Sequence, residues 1–234
     1  MSVLQIPGVA NIRDVGGIAA GASRVRDGVL FRSGNLAHLT PEGDGLLRER
    51  VRRVIDLRDD AEVLAEPSML LDVPTTRVPL FIGSVASFFT EDVSLAGMYR
   101  HLVDDAAPRL IDAIRVIAAG EPTLVHCTVG KDRTGVTVAL ALSAVGADRE
   151  EVIADYALTA SQLPAARTRA IVQYLRARHP DARNAIDLAT SSPAPVMREL
   201  LSGIERQHGS IAGYLRTGGL TDAELEALGR TLVA

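Results

Sequence analysis

Cys127 and Lys131 are the only cysteine and the only lysine in 234 residues, and both lie in the run His126-Cys127-Thr128-Val129-Gly130-Lys131-Asp132-Arg133-Thr134-Gly135. Of the 25 basic residues, all but Lys131 are arginines. Arg133 follows Cys127 with five residues between them. The apolar residues before Cys127 read as a strand ending at His126, and those after Arg133 as a helix. A loop of this length between a strand and a helix N-terminus can curl so that its backbone N–H groups converge, and with the helix dipole they make an anion cradle. Gly130 permits a positive φ in the curl. The Arg133 fork matches two oxygens of a phosphate. Cys127 then lies at the floor of the cradle, and the groups that hold an oxyanion also favour its thiolate.

The expected site follows. Cys127 is the nucleophile. The loop from Thr128 through Val129, Gly130, Lys131 and Asp132 to Arg133 binds the anion. His126 orients the loop backbone, because a thiolate needs no general base. Thr134 donates its hydroxyl to the sulfur. An isolated cysteine is more often an inert core thiol, but the spacing to Arg133 and the strand–loop–helix setting outweigh that reading here. The Gly-Lys pair is no nucleotide-binding loop, since position 125 is valine and Asp132 follows the lysine.

The elements that must hold this loop are legible in outline. Short β-branched runs predict strands at 29–31, 53–57, 76–80 and 123–126. Helical periodicity covers 41–50, 108–119, 133–145, 148–158, 162–178, 195–207 and 210–215. Thr221 with Glu224 caps a last helix, and Asp148 with Glu151 reads as a second capping box. Alternating strands and helices predict an α/β fold with a central, mostly parallel sheet and helices on both faces. The C-terminal third is all helix, packed on the sheet or capping the site. The turn-rich stretches at 83–92 and 190–195 are too short to divide domains, so 1–234 reads as a single domain with a helical elaboration at about 148–207.

Composition narrows the classes. Hydrophobic residues are 47%, charged residues 23%, and the net charge is −4, which suits a globular protein and excludes a disordered one. That balance argues against a nucleic-acid partner. One cysteine excludes a disulfide framework and a cysteine zinc site, and His38, His101, His179 and His208 show no ligand spacing, so no metal or cofactor is expected. No apolar run is long enough to insert in a membrane. The N-terminus lacks a basic start and a long apolar run, so the expected location is cytoplasmic, or exported without a recognisable signal peptide.

His-Cys-x-x-Gly-Lys-x-Arg-Thr-Gly resembles the phosphate-loop signature of cysteine-dependent protein tyrosine and dual-specificity phosphatases. Its Gly130-Lys131-Asp132-Arg133-Thr134-Gly135 form is similar to the atypical bacterial tyrosine phosphatases of the mycobacterial PtpB type, whose loops look lipid-phosphatase-like. The segments 11–17, 30–33, 54–58 and 209–215 look like recurring segments of that family as well, so the likeness covers nearly the whole chain. Ile12 departs from it, standing where the family often has an aromatic residue. The resemblance implies a tyrosine-phosphatase-like fold and hydrolysis of phosphomonoesters through a phosphocysteine. It implies a phosphorylated protein or a phosphoinositide as substrate, with phosphate or another oxyanion in the loop. Many relatives protonate the leaving group from an aspartate on a Trp-Pro-Asp loop, and this chain has no tryptophan. Asp132 is the best substitute by position, with Asp56, Asp92, Asp104 and Asp105 as rivals. The resemblance implies that Lys131 faces a second phosphate or another acidic group on the substrate; the alternative is that it points into solvent or pairs with a nearby carboxylate. Arg13, Asp14, Arg32, Asp56 and Arg58 line the site mouth or form buried ion pairs. The competing classes are a phosphate-recognition module without turnover and a rhodanese-like sulfurtransferase.

Overall fold

The computed structural model describes residues 1–80 and 92–234, and the expected boundary at 83–92 lies, apart from Asp92, outside the described residues. The sheet takes its strands in the order β1 (Ser2–Val3), β2 (Arg13–Asp14), β5 (Leu30–Ser33), β8 (Thr123–His126), β6 (Arg53–Asp56), β7 (Thr75–Arg77). A separate hairpin pairs β3 (Ala19–Ala20) with β4 (Ser23–Arg24). The strand that ends in His126 is flanked on both sides by parallel partners: Ser33 and Asp56 both stand in register with His126. Among the described strands of this sheet, only the β1–β2–β5 edge is antiparallel.

Period-two alternation sends the central strands to two cores. Phe31, Val54 and Leu124, one register row, pack with Leu36 and Leu47 on one side. Leu30, Ile55 and Val125 face the other, where most of the helices gather. Helix α1 (Pro41–Arg48) covers the first face, opened by Thr40, whose hydroxyl accepts from the Gly43 N–H, and by proline in its first turn. Helices α3 (Leu95–Asp104), α4 (Ala107–Ala118), α5 (Asp132–Ala144) and α6 (Arg149–Gln162) supply the larger core, with α9 (Ala194–His208), α10 (Ile211–Thr217) and α11 (Asp222–Leu232). Helix α5 is buried nearly all round, as its apolar run, interrupted by Thr137 and Ser143, requires.

The four expected strands and the long helices are present, with ends shifted by a few residues. The short elements β1 to β4, α2 (Asp60–Ala65) and α8 (Ala185–Thr190), and also α3, were not expected. Thr221 and Glu224 form a complete capping box. Asp148 forms only half of one: it accepts from the Glu151 N–H, while the Glu151 carboxylate leaves to accept from the Ala19 N–H. Tertiary competition for the carboxylate overrides the local motif. Among the described residues no helix is long and apolar enough to cross a membrane.

Candidate active site

Cys127 lies just past the C-terminal end of β8, and α5 starts at Asp132, so residues 127–131 form the connecting loop. The C-terminal edge of a parallel sheet is where α/β folds place ligands. The loop's carbonyls are turned outward and bonded. The Asn35 N–H donates to Thr128 O at 3.0 Å. Asn11 Nδ2 donates to Val129 O and Gly130 O at 3.0 and 3.1 Å, and Arg32 Nη2 to Gly130 O at 2.9 Å. Among the described residues the N–H groups of Thr128, Val129, Gly130 and Lys131 donate to no protein acceptor. Gly130 has φ +69°, and a Cβ there would lie 2.2 Å from Ser33 O, so glycine is required twice over. Gly135 admits the Tyr156 ring, which would stand 2.9 Å from a Cβ.

Arg133 occupies the first turn of α5, and Glu62 of α2 meets its guanidinium end-on. Arg133 Nη1 donates to Glu62 Oε2 at 2.6 Å and Nη2 to Oε1 at 2.7 Å. The Thr128 hydroxyl also donates to Glu62 Oε1. Glu62 is simultaneously the third residue of a capping box with Asp59, its Oε2 accepting from the Asp59 N–H. Burial by itself would raise the Glu62 carboxyl, but the Arg133 hydrogen bonds and charge bring its pKa down to about 2. For Arg133 burial opposes the charge, and Glu62, then Cys127, hold the guanidinium above its ordinary value.

Behind the loop lies a buried ionic layer. Asp155 of α6 accepts from Arg13 Nε at 2.7 Å and from Arg32 Nη1 at 2.5 Å, with all three side chains at most 2% exposed. Burial, then the neighbouring Arg32, pushes the Arg13 pKa down to about 10, with Asp155 opposing. Arg58 pairs with Asp56 through Nη2–Oδ2 at 2.8 Å. His126 Nδ1 reaches the Cys127 carbonyl at 3.3 Å. Burial lowers the His126 pKa, so the ring is neutral and donates through Nδ1–H.

Residues 4–234 match the family described as Tyrosine phosphatase family. The chain belongs to that family. Triple specificity protein phosphatase PtpB of Mycobacterium tuberculosis is 31% identical, with 97% of this chain and 98% of that protein covered. A tyrosine-protein phosphatase of Nostoc commune is 24% identical over 90% of this chain and 76% of its own length. The solved structure of TpbA from P. aeruginosa aligns at 18% identity and TM-score 0.37, covering 73% of this chain and 93% of that one. Phosphatase activity on a phosphorylated substrate is what membership in the tyrosine phosphatase family carries.

In this phosphatase two expected contacts are redirected. Lys131 does not face a second phosphate. Its Nζ lies 3.0 Å from Leu188 O, 2.9 Å from Ser191 O and 2.8 Å from Asp132 Oδ1, and the residue is 1% exposed. Two of its N–H groups donate to the Leu188 and Ser191 carbonyls, and its charge is paired with the Asp132 carboxylate. Thr134 makes no hydrogen bond to the sulfur; its hydroxyl is buried without a partner. Arg13, Arg32, Asp56 and Arg58 are buried ion pairs rather than a site mouth. Asp14 accepts from the N–H groups of Gly16 and Gly28, fixing a turn.

Among the aspartates, Asp132 begins α5 beside the loop, and its Oδ1 accepts from the Tyr99 hydroxyl at 2.8 Å. Tyr99 is itself 2.7 Å from the Tyr156 hydroxyl. Burial, then the Asp132 charge, raises the Tyr99 pKa well above its ordinary value, so it remains a neutral donor. Three of the rivals, Asp56, Asp92 and Asp105, are engaged elsewhere. Asp56 is held below its ordinary pKa, where burial is outweighed by Arg58. Asp92 accepts from the Asn184 N–H at 2.7 Å. Asp105 pairs with His101. Asp104 ends α3. Among the described residues no cluster of metal-ligating side chains is found. Sequence reasoning missed Glu62 and Asp155. The Asp59-x-x-Glu62 spacing is a capping-box signal and was the one clue to Glu62; nothing local marks Asp155.

Proposed function

We propose that this chain hydrolyses phosphotyrosine esters by two displacements at Cys127. The Cys127 thiolate attacks phosphorus in line with the ester oxygen, and the P–O bond breaks as the P–S bond forms. The leaving phenoxide takes a proton from Asp132. Water then attacks phosphorus, gives its proton to the Asp132 carboxylate, and expels the thiolate with release of phosphate. The loop N–H groups from Thr128 to Arg133, together with the Arg133 guanidinium, hold the equatorial oxygens while charge redistributes. Lys131 takes part through its backbone, and its side chain braces the loop. His126 positions the Cys127 carbonyl.

The observation that carries this reading is the loop's polarity: three successive carbonyls are bonded to Asn35, Asn11 and Arg32, while among the described residues the N–H groups of Thr128 to Lys131 have no protein acceptor. The family match over residues 4–234 supports one phosphatase unit spanning the chain, with the helices at about 148–207 as its elaboration. A relative named for triple specificity supports a substrate range wider than phosphotyrosine, which we extend, as the sequence resemblance implies, to phosphoserine, phosphothreonine or phosphoinositides. Phosphate release from a phosphotyrosine peptide, absent in Cys127→Ser, tests the reading. A Cys127→Ser protein that binds vanadate tightly beside a wild type that releases no phosphate would favour a recognition module instead, and thiosulfate–cyanide transfer would favour a sulfurtransferase.

A further inference from the structure

Arg167 stands in the first turn of α7 (Ala165–Arg178), where the helix dipole disfavours a cation. Its Nη1 is buried and has no hydrogen-bond partner. Among the described residues it forms no ion pair, although the charges of Asp132, Cys127 and Glu66 all act on it. Nothing in the mechanism above uses it. A guanidinium placed against its own helix dipole and left unpaired beside a catalytic loop is a cation with unfilled capacity.

The space in front of it has a definite shape. A cleft of about 340 Å³ runs beside the loop, lined by Thr128, Val129, Asn35, His38, Glu66 and Arg167. Thr128 and Val129 belong both to this cleft and to the loop that follows Cys127, so the cleft adjoins the loop. The Glu66 carboxylate also lines the cleft, but it is drawn to one side by Asn35 Nδ2, which donates to Oε2 at 2.5 Å. With Glu66 present, the cleft matches a single negative charge better than a dianion.

We propose that Arg167 and this cleft form a second anion subsite, which takes a carboxylate side chain flanking the phosphorylated residue of a peptide substrate. The proposal rests on the reading of Cys127 as nucleophile and Arg133 as anion clamp. It assigns the contact with a second acidic group, expected of Lys131 from sequence, to Arg167.

Matched phosphotyrosine peptides carrying Glu or Gln on either side of the phosphorylated residue test it. The wild type should prefer the Glu peptide in kcat/KM by about ten- to hundred-fold, the range for a hydrogen bond to a charged group. Arg167→Ala and Arg167→Gln should abolish the preference, and Arg167→Lys, which keeps the charge without the fork, should retain part of it. A preference unchanged in Arg167→Ala, or an equal loss on both peptides, would overturn the subsite. An Arg167-dependent preference for a soluble inositol bisphosphate over the Glu peptide would overturn the carboxylate assignment. Continued turnover by Cys127→Ser would overturn the underlying reading instead, whatever the peptide ratio.

Discussion

The Glu62 carboxylate does two jobs with Arg133 in view: it closes the capping box that starts α2, and it accepts two parallel hydrogen bonds from the Arg133 guanidinium at 2.6 and 2.7 Å. The rotamer of Arg133, the residue we propose to clamp the reacting phosphate, is thereby set by a helix cap on a different strand's connection. Among the described residues only Nε–H of Arg133 has no protein acceptor, since Nη1 donates also to Leu57 O at 3.3 Å and Nη2 also to the Thr128 hydroxyl at 3.1 Å.

Glu62→Gln should lower kcat by about tenfold, on the scale of one charge-assisted hydrogen bond, with little change in phosphate affinity at saturating Arg133 charge. The pH dependence of stability follows as well. The Glu62 pKa falls from 4.5 to about 2 on folding, so its stabilising contribution is present above about pH 4.5 and is lost as pH drops toward 2. Acid unfolding followed by circular dichroism should be shallower in Glu62→Gln across that window. Superimposable acid limbs would show that the ion pair contributes nothing to the fold.

Asp132→Asn should reduce turnover of phosphotyrosine peptides by about 10²–10⁴-fold, the usual share of a general acid. The loss should be much smaller for p-nitrophenyl phosphate, whose leaving group departs without a proton. Tyr99→Phe, which removes the donor to Asp132 Oδ1, should shift the acidic-to-basic limbs of the pH–rate profile while phosphate binding holds. Equal losses across leaving groups for Asp132→Asn would make it a structural helix-start carboxylate.

Lys131→Ala should unfasten the segment around Leu188 and Ser191. Breaking a buried charge network of this kind typically costs about 3–5 kcal/mol. Amide exchange in residues 185–191 should accelerate, and kcat/KM should fall by a similar factor for singly and multiply charged substrates. A loss confined to polyanionic substrates would restore the side chain to the substrate side of the loop.

Asp155→Asn leaves Arg13 and Arg32 buried with a neutral partner. About 3–5 kcal/mol of stability should be lost in urea titrations, and the loop should loosen through Arg32 and Gly130 O. A variant of wild-type stability and full activity would show that the layer is dispensable.

The site was legible where chemistry is local in sequence. Cys127, Gly130 and Arg133 belong to one strand–loop–helix unit, and spacing alone places them together. The strands β6 and β8 and the helices with full apolar stripes were legible for the same reason. Two-residue strands such as β1 and β2 carry no periodicity to read, and their pairing depends on sheet register. The Asp132 partner of Lys131 is its sequence neighbour, but its other two partners were illegible because they are the backbone carbonyls of Leu188 and Ser191, distant in sequence, which no residue type can announce. Asp155 sits in a helix whose pattern is unremarkable, and only the fold brings it between two arginines.

The central claim is a covalent phosphocysteine at Cys127, and acid quenching during turnover of a phosphotyrosine peptide tests it most directly. Mass spectrometry of the digested protein should find phosphate on the peptide containing Cys127, increased in Asp132→Asn if hydrolysis of the intermediate is slowed more than its formation, and absent in Cys127→Ser. Wild-type turnover with no phosphate on that peptide, together with a Cys127→Ser enzyme that keeps more than a few per cent of activity, would contradict the account.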